Sequence, residues 1–184
     1  WIFPLELNKP QLIGDKQVWD YTSVKEAIIL NEDQLLELFK RGMYKEIVEF
    51  FRENVPKDKA EFILEALSFY NLGLVNDAIR VLQNGLSFFP ADKDILFNLV
   101  EILYNANMFG EAEKFAIEAI KVEPDNYVYY DILAAICFSR NDKENGLMML
   151  KKAIEYVPGN LLWQLIDKYS YSPHEGFGGK LGEW

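Results

Sequence analysis

The chain has 184 residues, half of them hydrophobic, which is enough for one sizeable core in a single domain. Its formal net charge of −10 argues against a nucleic-acid surface, which needs clustered lysine and arginine, and suits a basic or uncharged partner instead. The single cysteine, Cys137, excludes an internal disulfide, and no stretch reaches the roughly 20 apolar residues that cross a bilayer.

The chain opens at Trp1 rather than at a methionine, so a signal peptide, a membrane anchor, another domain or simply more chain is expected upstream. Residues 1–30 read as an irregular arm. Pro4, Pro10 and Gly14 interrupt any helical period up to residue 21, and a short helix is expected from Thr22 or Ser23. The segment Trp1-Ile2-Phe3-Pro4-Leu5 has the composition of a membrane-interface anchor, but an extended arm packed on the first helices is the simpler expectation.

From Asn31 the helical pattern is clear. Asn31 and Gln34 form a capping box, Leu35, Leu38 and Phe39 make an apolar face, Gly42 breaks the helix, and Lys45 to Glu53 form the next. Beyond it the chain repeats. Pro56, Pro90, Pro124 and Pro158 stand 34 residues apart, each followed two places later by Asp58, Asp92, Asn126 or Asn160. Proline ends one helix, and the Asx side chain caps the next. The spacing predicts units at 59–92, 93–126 and 127–160, after a shorter one at 31–58. Their helices are expected near Ala60–Asn71 and Asn76–Ser87, Lys93–Asn105 and Gly110–Val122, and Tyr127–Ser139 and Lys143–Tyr156. Residues 161–184 supply a capping helix, Leu161 to Tyr169, and a tail rich in glycine and aromatics.

A period of 34 with these landmarks resembles the tetratricopeptide repeat. That family places a bulky residue fourth in each unit, small residues at the eighth, twentieth and twenty-seventh positions, and proline at the thirty-second. The matching residues are Phe62, Ala66, Ala78, Gly85 and Pro90, then Leu96, Val100, Ala112, Ala119 and Pro124, then Tyr130, Ala134, Gly146, Ala153 and Pro158. Small residues belong where the two helices of a unit cross. The unit at 31–58 fits only if its second helix is three residues short, and Ile47 and Asn54 replace its small residues, as in a degenerate terminal unit. The resemblance implies an all-α fold, a right-handed α-solenoid of antiparallel helix pairs forming a superhelix.

Catalytic candidates are few. The only histidine, His174, lies in the tail, and one histidine with no Cys/His cluster builds no metal site. Cys137 falls on the inward face of its helix, where a thiol serves as a small hydrophobe rather than as the partner of His174. Glu61 with Glu65, and Glu111 with Glu113, have ordinary helical spacing and read as solvated faces or first-turn charges. The run Asn141-Asp142-Lys143-Glu144-Asn145-Gly146 lacks the ligand spacing of a calcium loop, and Phe177-Gly178-Gly179 is too short to cradle a phosphate. No catalytic site, metal or cofactor is expected.

By the same resemblance, the first helix of each unit lines a concave groove. Its predicted partner-binding residues are Leu64, Leu67, Tyr70 and Asn71, then Phe97, Asn98, Glu101, Tyr104 and Asn105, then Asp131, Ile132 and Phe138. Such a face suits an extended peptide or a partner helix. Aromatics supply contact area at low entropy cost, and amides can pair with a ligand's backbone. Family members that hold an acidic chaperone tail do so with a Lys/Asn/Arg clamp; the matching positions here are Leu, Ile, Phe or acidic apart from Asn98, so an acidic chaperone C-terminal tail is not an expected ligand. Tyr169, Tyr171, Phe177 and Trp184 are expected to lie back on the array. The function expected is a non-catalytic scaffold that binds a protein or peptide in this groove. Its rivals are an accessory domain of a larger enzyme and a membrane-anchored envelope component, membrane association then coming only through upstream sequence.

Overall fold

Helix boundaries follow from caps that the sequence supplies at fixed intervals. The computed structural model describes residues 11–13, 16–18 and 30–170. The side chain of Asn31 accepts from the Gln34 amide at 2.9 Å while Gln34 accepts from the Asn31 amide at 3.0 Å, starting α1 (Glu32–Lys40). Asp58 accepts from the Glu61 amide to start α3 (Lys59–Asn71), after α2 (Tyr44–Glu53). Asp92 accepts from Asp94 and Ile95 and starts α5 (Lys93–Asn105), after α4 (Val75–Phe88). Asn126 accepts from Val128 and starts α7 (Tyr127–Ser139), after α6 (Phe109–Val122). Each satisfies an amide that the first turn leaves without an intrahelical partner. The fourth Asx residue behaves differently. Asn160 makes no cap bond among the described residues; the Leu161 amide donates to the Pro158 carbonyl at 2.8 Å, and α9 (Leu162–Ser170) follows α8 (Lys143–Tyr156) through that turn.

The turn inside each helix pair is also a repeated device. Gly42, Gly73, Asn107 and Asn141 have φ of 74°, 76°, 58° and 60°, the left-handed conformation that glycine adopts freely and asparagine tolerates. At each, the following amide reaches back to a carbonyl five residues earlier: Met43 to Leu38, Leu74 to Phe69, Met108 to Leu103 and Asp142 to Cys137, all at 2.9 Å. The last three turns are 34 residues apart, whereas Gly42 precedes Gly73 by 31. The shortfall lies in α2, which has ten residues where α4, α6 and α8 have fourteen.

Each helix from α1 to α8 packs on its sequence neighbour, and first helices also pack on one another, α1 on α3 and α3 on α5. The result is an all-α solenoid of antiparallel helix pairs. Ahead of it two three-residue strands, β1 (Gln11–Ile13) and β2 (Lys16–Val18), pair antiparallel with Leu12 opposite Gln17. Strands this short leave no period to detect, so the arm's sequence gave no sign of them. The helix expected from Thr22 or Ser23 falls outside the described residues.

The helices can approach because small residues stand at their crossings. Ala66, Ala78, Ala112 and Ala134 are completely buried, and so is Val100. Around them run three apolar clusters: Leu35, Ile47, Phe51 and Leu64 at the N-terminal end, a long central one, and Tyr130, Ala134, Leu150, Ala153, Leu165 and Tyr169 at the C-terminal end. At Gly146 the packing is tighter still, for a Cβ there would overlap the ring of Phe138. One acid enters this interior. Glu65, expected on a solvated face, is half-buried, and burial pushes its carboxyl up from 4.5 to about 7. Arg80 opposes the shift only in part, since its guanidinium is already bonded to Asp77. Glu61 and Glu113 stay near the surface, accepting from the Lys57 amide at 2.7 Å and from Arg140 at 2.6 Å.

Three substitutions test this packing. Ala112→Arg forces bulk and charge into a sealed crossing and should cost about 4 kcal/mol or more, read as a lowered melting temperature by circular dichroism; a wild-type melt would contradict the crossing. Gly146→Ala gains about 1 kcal/mol of helix propensity but displaces the Phe138 ring, for a net loss of about 1–2 kcal/mol that Gly146→Ala/Phe138→Leu should recover in a double-mutant cycle. Glu65→Gln tests the buried carboxyl. The folded state holds that proton to about pH 7 while the unfolded state releases it near 4.5, so the parent loses stability as pH rises between those values. The variant should therefore melt like the parent at pH 4 and above it at pH 8, and equal melts at pH 8 would exclude a desolvated Glu65.

Candidate interaction groove

The first helices α3, α5 and α7 carry the residues predicted to bind a partner, and the structure sorts them into three groups. Leu67, Tyr70, Phe97 and Tyr104 are brought together. All four are partly exposed and lie along the central apolar cluster, on the two helices that touch each other. Phe97 meets the buried Tyr129 ring edge-on at 6.2 Å, and Tyr104 lies 5.9 Å from Phe109. These contacts fix the ring positions while leaving part of each surface free.

A second group offers little to a partner. Leu64 is 8% exposed and packs into the N-terminal cluster, and Ile132 is 4% exposed within the central one. The amides are largely turned to their own helices. Asn71 Nδ2 donates to the Leu67 carbonyl and Asn98 Nδ2 to the Asp94 carbonyl, both at 2.7 Å. Asn105 is exposed. An amide one turn from a free carbonyl bonds it readily, so Asn71 and Asn98 each have a donor engaged within their own helix.

Asp131 and Phe138 form the third group, and α9 covers them. Lys168 Nζ donates to Asp131 Oδ1 at 2.9 Å and Oδ2 at 2.7 Å, and the Tyr169 hydroxyl donates to Oδ1 at 2.7 Å. The Tyr169 ring stands edge-on to Phe138 at 5.5 Å. Burial, the Asp131 charge and that hydrogen bond all push the Tyr169 phenol up, so it stays protonated and donates. Tyr169 thus belongs to a helix and to the core rather than to the tail, and the rest of the aromatic tail, with His174, falls outside the described residues. The sequence placed a capping helix here; what it did not show is that the cap lands on groove residues.

Three acids lie on the inner face, and two are neutralised from within. Lys59 Nζ binds Asp94 Oδ2 at 2.6 Å and Asp92 Oδ2 at 3.2 Å, and these acids raise the lysine's own pKa. Asp131 has Lys168. Glu101, between Phe97 and Tyr104 on α5, has no ion pair or hydrogen bond among the described residues, and burial raises its carboxyl above the usual range.

Outside the groove, a cleft of about 560 Å³ opens between α4 and α6, lined by Gln83, Leu86, Leu96, Phe115, Glu118 and Val122 among others. A lost ring pair explains it. Phe62 stacks on Phe88 at 5.6 Å, and Tyr130 lies 5.6 Å from Tyr156, but the residues at the same register in the middle unit are the smaller Leu96 and Val122. Reading each unit separately concealed this, because Leu96 alone is an acceptable core residue.

Chemistry has little footing on these elements. Cys137 is partly buried, and burial, with Asp142 and Glu113 nearby, pushes its thiol up and away from the nucleophilic thiolate. Among the described residues no group of three or more His, Cys, Asp or Glu could hold a metal ion, and no helix is long and apolar enough to cross a membrane.

Comparison with known proteins agrees with this geometry. Residues 72–136 match the family model described as tetratricopeptide repeat. No curated protein matches the chain by sequence. Among solved structures, YrrB, described as a TPR protein with an unusual peptide-binding site, superposes with a TM-score of 0.63 at 20% identity, over 73% of this chain and 71% of its own. MamA gives a TM-score of 0.65 at 16% identity, over 77% of this chain and 85% of that one. Residues 41 to the end of MamA from Desulfovibrio magneticus RS-1 give 0.60 at 16%, over 67% and 72%. With its 34-residue period, repeated caps and turns, and this shared architecture, the chain has the fold of these TPR proteins and matches the tetratricopeptide repeat over residues 72–136.

Proposed function

We propose that the chain is a non-catalytic scaffold that binds a protein partner, as an extended peptide or a helix, on the inner face of α3 and α5. One observation carries this reading: Leu67, Tyr70, Phe97 and Tyr104 form a partly exposed apolar and aromatic surface spanning two adjacent helices, positioned by the core beneath. Rings held in place by buried neighbours lose little entropy on binding, which is what an aromatic docking surface requires. The raised thiol of Cys137 supports a role without catalysis. The peptide-binding site named for YrrB makes peptide recognition by this fold a reasonable model for the present chain, at the level of the fold.

The location of the surface also limits the partner. Lys59 and Lys168, which reach the acids Asp94 and Asp131, are already bonded to them. An acidic chaperone tail would find no free clamp and would face Glu101, so it remains a poor ligand in this reading.

The test is a cross-linking capture from native lysate with wild type, Phe97→Ala/Tyr104→Ala and the outward control Ile117→Ala. Truncating two half-buried rings costs stability, so the double variant is used only at temperatures where it remains cooperatively folded. A protein captured by wild type and the control, but reduced at least tenfold in the double variant, is the expected result. Equal capture by all three would remove the groove from consideration and turn attention to the cleft between α4 and α6.

A further inference from the structure

Glu101 is out of place in its own surface. The residues 34 before and 34 after it are Leu67 and Ala135, so the array sets a single carboxylate in an otherwise apolar row. Phe97 precedes it by four residues and Tyr104 follows by three, which places both rings on the same helix face. A half-buried carboxylate with no partner among the described residues opposes folding, and removing it from water while charged costs more than any neutral side chain there would. The other two inner-face acids, Asp94 and Asp131, avoid that cost through Lys59 and Lys168.

The C-terminal end of the same face shows how such an acid is satisfied. There α9 brings a cation and a ring together: Lys168 binds Asp131, its ammonium lies 5.3 Å from the centre of the Tyr169 ring, and that ring packs on Phe138. At Glu101 the acid and the aromatics are present, and no described residue supplies the cation.

We infer that the partner segment is basic and amphipathic, placing a lysine or arginine side chain on Glu101 between Phe97 and Tyr104, with apolar residues on either side. The inference rests on the groove proposed above and names the chemistry of its ligand. A lysine or arginine stem covers ring surface while its head meets the carboxylate, and the ring faces attract the cation directly. The net charge of −10 adds long-range attraction for any basic segment, so a local effect has to be separated from a global one.

Fluorescence anisotropy with three helical probe peptides achieves this separation: one of alanine, leucine and lysine, one with glutamine for lysine, and one with glutamate. They are titrated into wild type, Glu101→Gln, Glu101→Lys, the exposed-acid control Glu144→Gln and Phe97→Ala/Tyr104→Ala, at physiological salt. The expected result is about a tenfold preference of wild type and Glu144→Gln for the lysine peptide over the glutamine one. That preference should be lost in Glu101→Gln and turned toward the glutamate peptide in Glu101→Lys. Glu101→Gln should melt no lower than wild type, so a folding defect cannot imitate the loss. If the preference survives in Glu101→Gln, it belongs to net charge and the inference is overturned. If lysine and glutamine peptides bind wild type equally, and both are lost in the double aromatic variant, the groove stands and its basic ligand falls. Binding of none of the three by wild type counts against both.

Discussion

The close approach of crossing helices is the constraint from which the other contacts follow. Ala66, Ala78, Ala112 and Ala134 are sealed from solvent, and at such a crossing any longer side chain would separate the helix axes and leave voids along both. Because the small residues recur at one spacing, the distance between helices recurs too, and each pair presents the same shelf to the next. Stability in such a stack is shared between neighbours rather than held in one centre. The division of the apolar residues into N-terminal, central and C-terminal clusters reflects that arrangement.

With the backbone spacing fixed, side-chain size at equivalent positions determines the local surface. Where the register holds Phe62 with Phe88, or Tyr130 with Tyr156, rings fill the gap beside the second helix; where it holds Leu96 with Val122, a cleft opens. The same logic governs Phe138. Ala78 and Ala112 stand at the crossings below Tyr70 and Tyr104, but Gly146 lets the Phe138 ring settle into the space a methyl would occupy, and there it receives Tyr169. A glycine in mid-helix costs backbone entropy, and the fit it permits between α7, α8 and α9 offsets that cost.

What could be read from the sequence was whatever repeats. Proline, Asx cap and small residue agree in register, so helix number, pairing and the short first unit were visible before any contact was known. The departures were harder to see because each depends on two residues far apart in the chain. Glu65 looked like an ordinary helical acid until packing half-buried it near Arg80, and Asp131 and Phe138 looked available until Lys168 and Tyr169 arrived from more than 30 residues downstream. Asn71 and Asn98 differ in that their bonds are local, to carbonyls four residues back, and a helix end offers that bond whether or not a ligand exists. The strand pair at Gln11–Val18 left no trace because three residues cannot display an alternation.

The distribution of charge along the inner face gives the array a direction. At the C-terminal end of the proposed groove, Lys168 and Tyr169 of α9 bind Asp131, so the chain itself covers that residue. Toward the N-terminal end Leu64 sinks into the cluster around Leu35 and Ile47 and contributes shape rather than contact. Between these ends the open stretch of α5 runs from Phe97 to Asn105, about 12 Å at the rise of a helix, with α3 beside it at the usual 8–10 Å interaxial distance. A surface of that size accommodates two or three turns of a partner helix or a short extended segment, not a whole domain. Among the described residues its uncompensated charge is near its middle, at Glu101, where surrounding apolar groups strengthen a charge–charge contact and penalise the wrong sign most severely. In the proposed groove, affinity would come from the rings, whereas orientation and choice of partner would come from the carboxylate they surround.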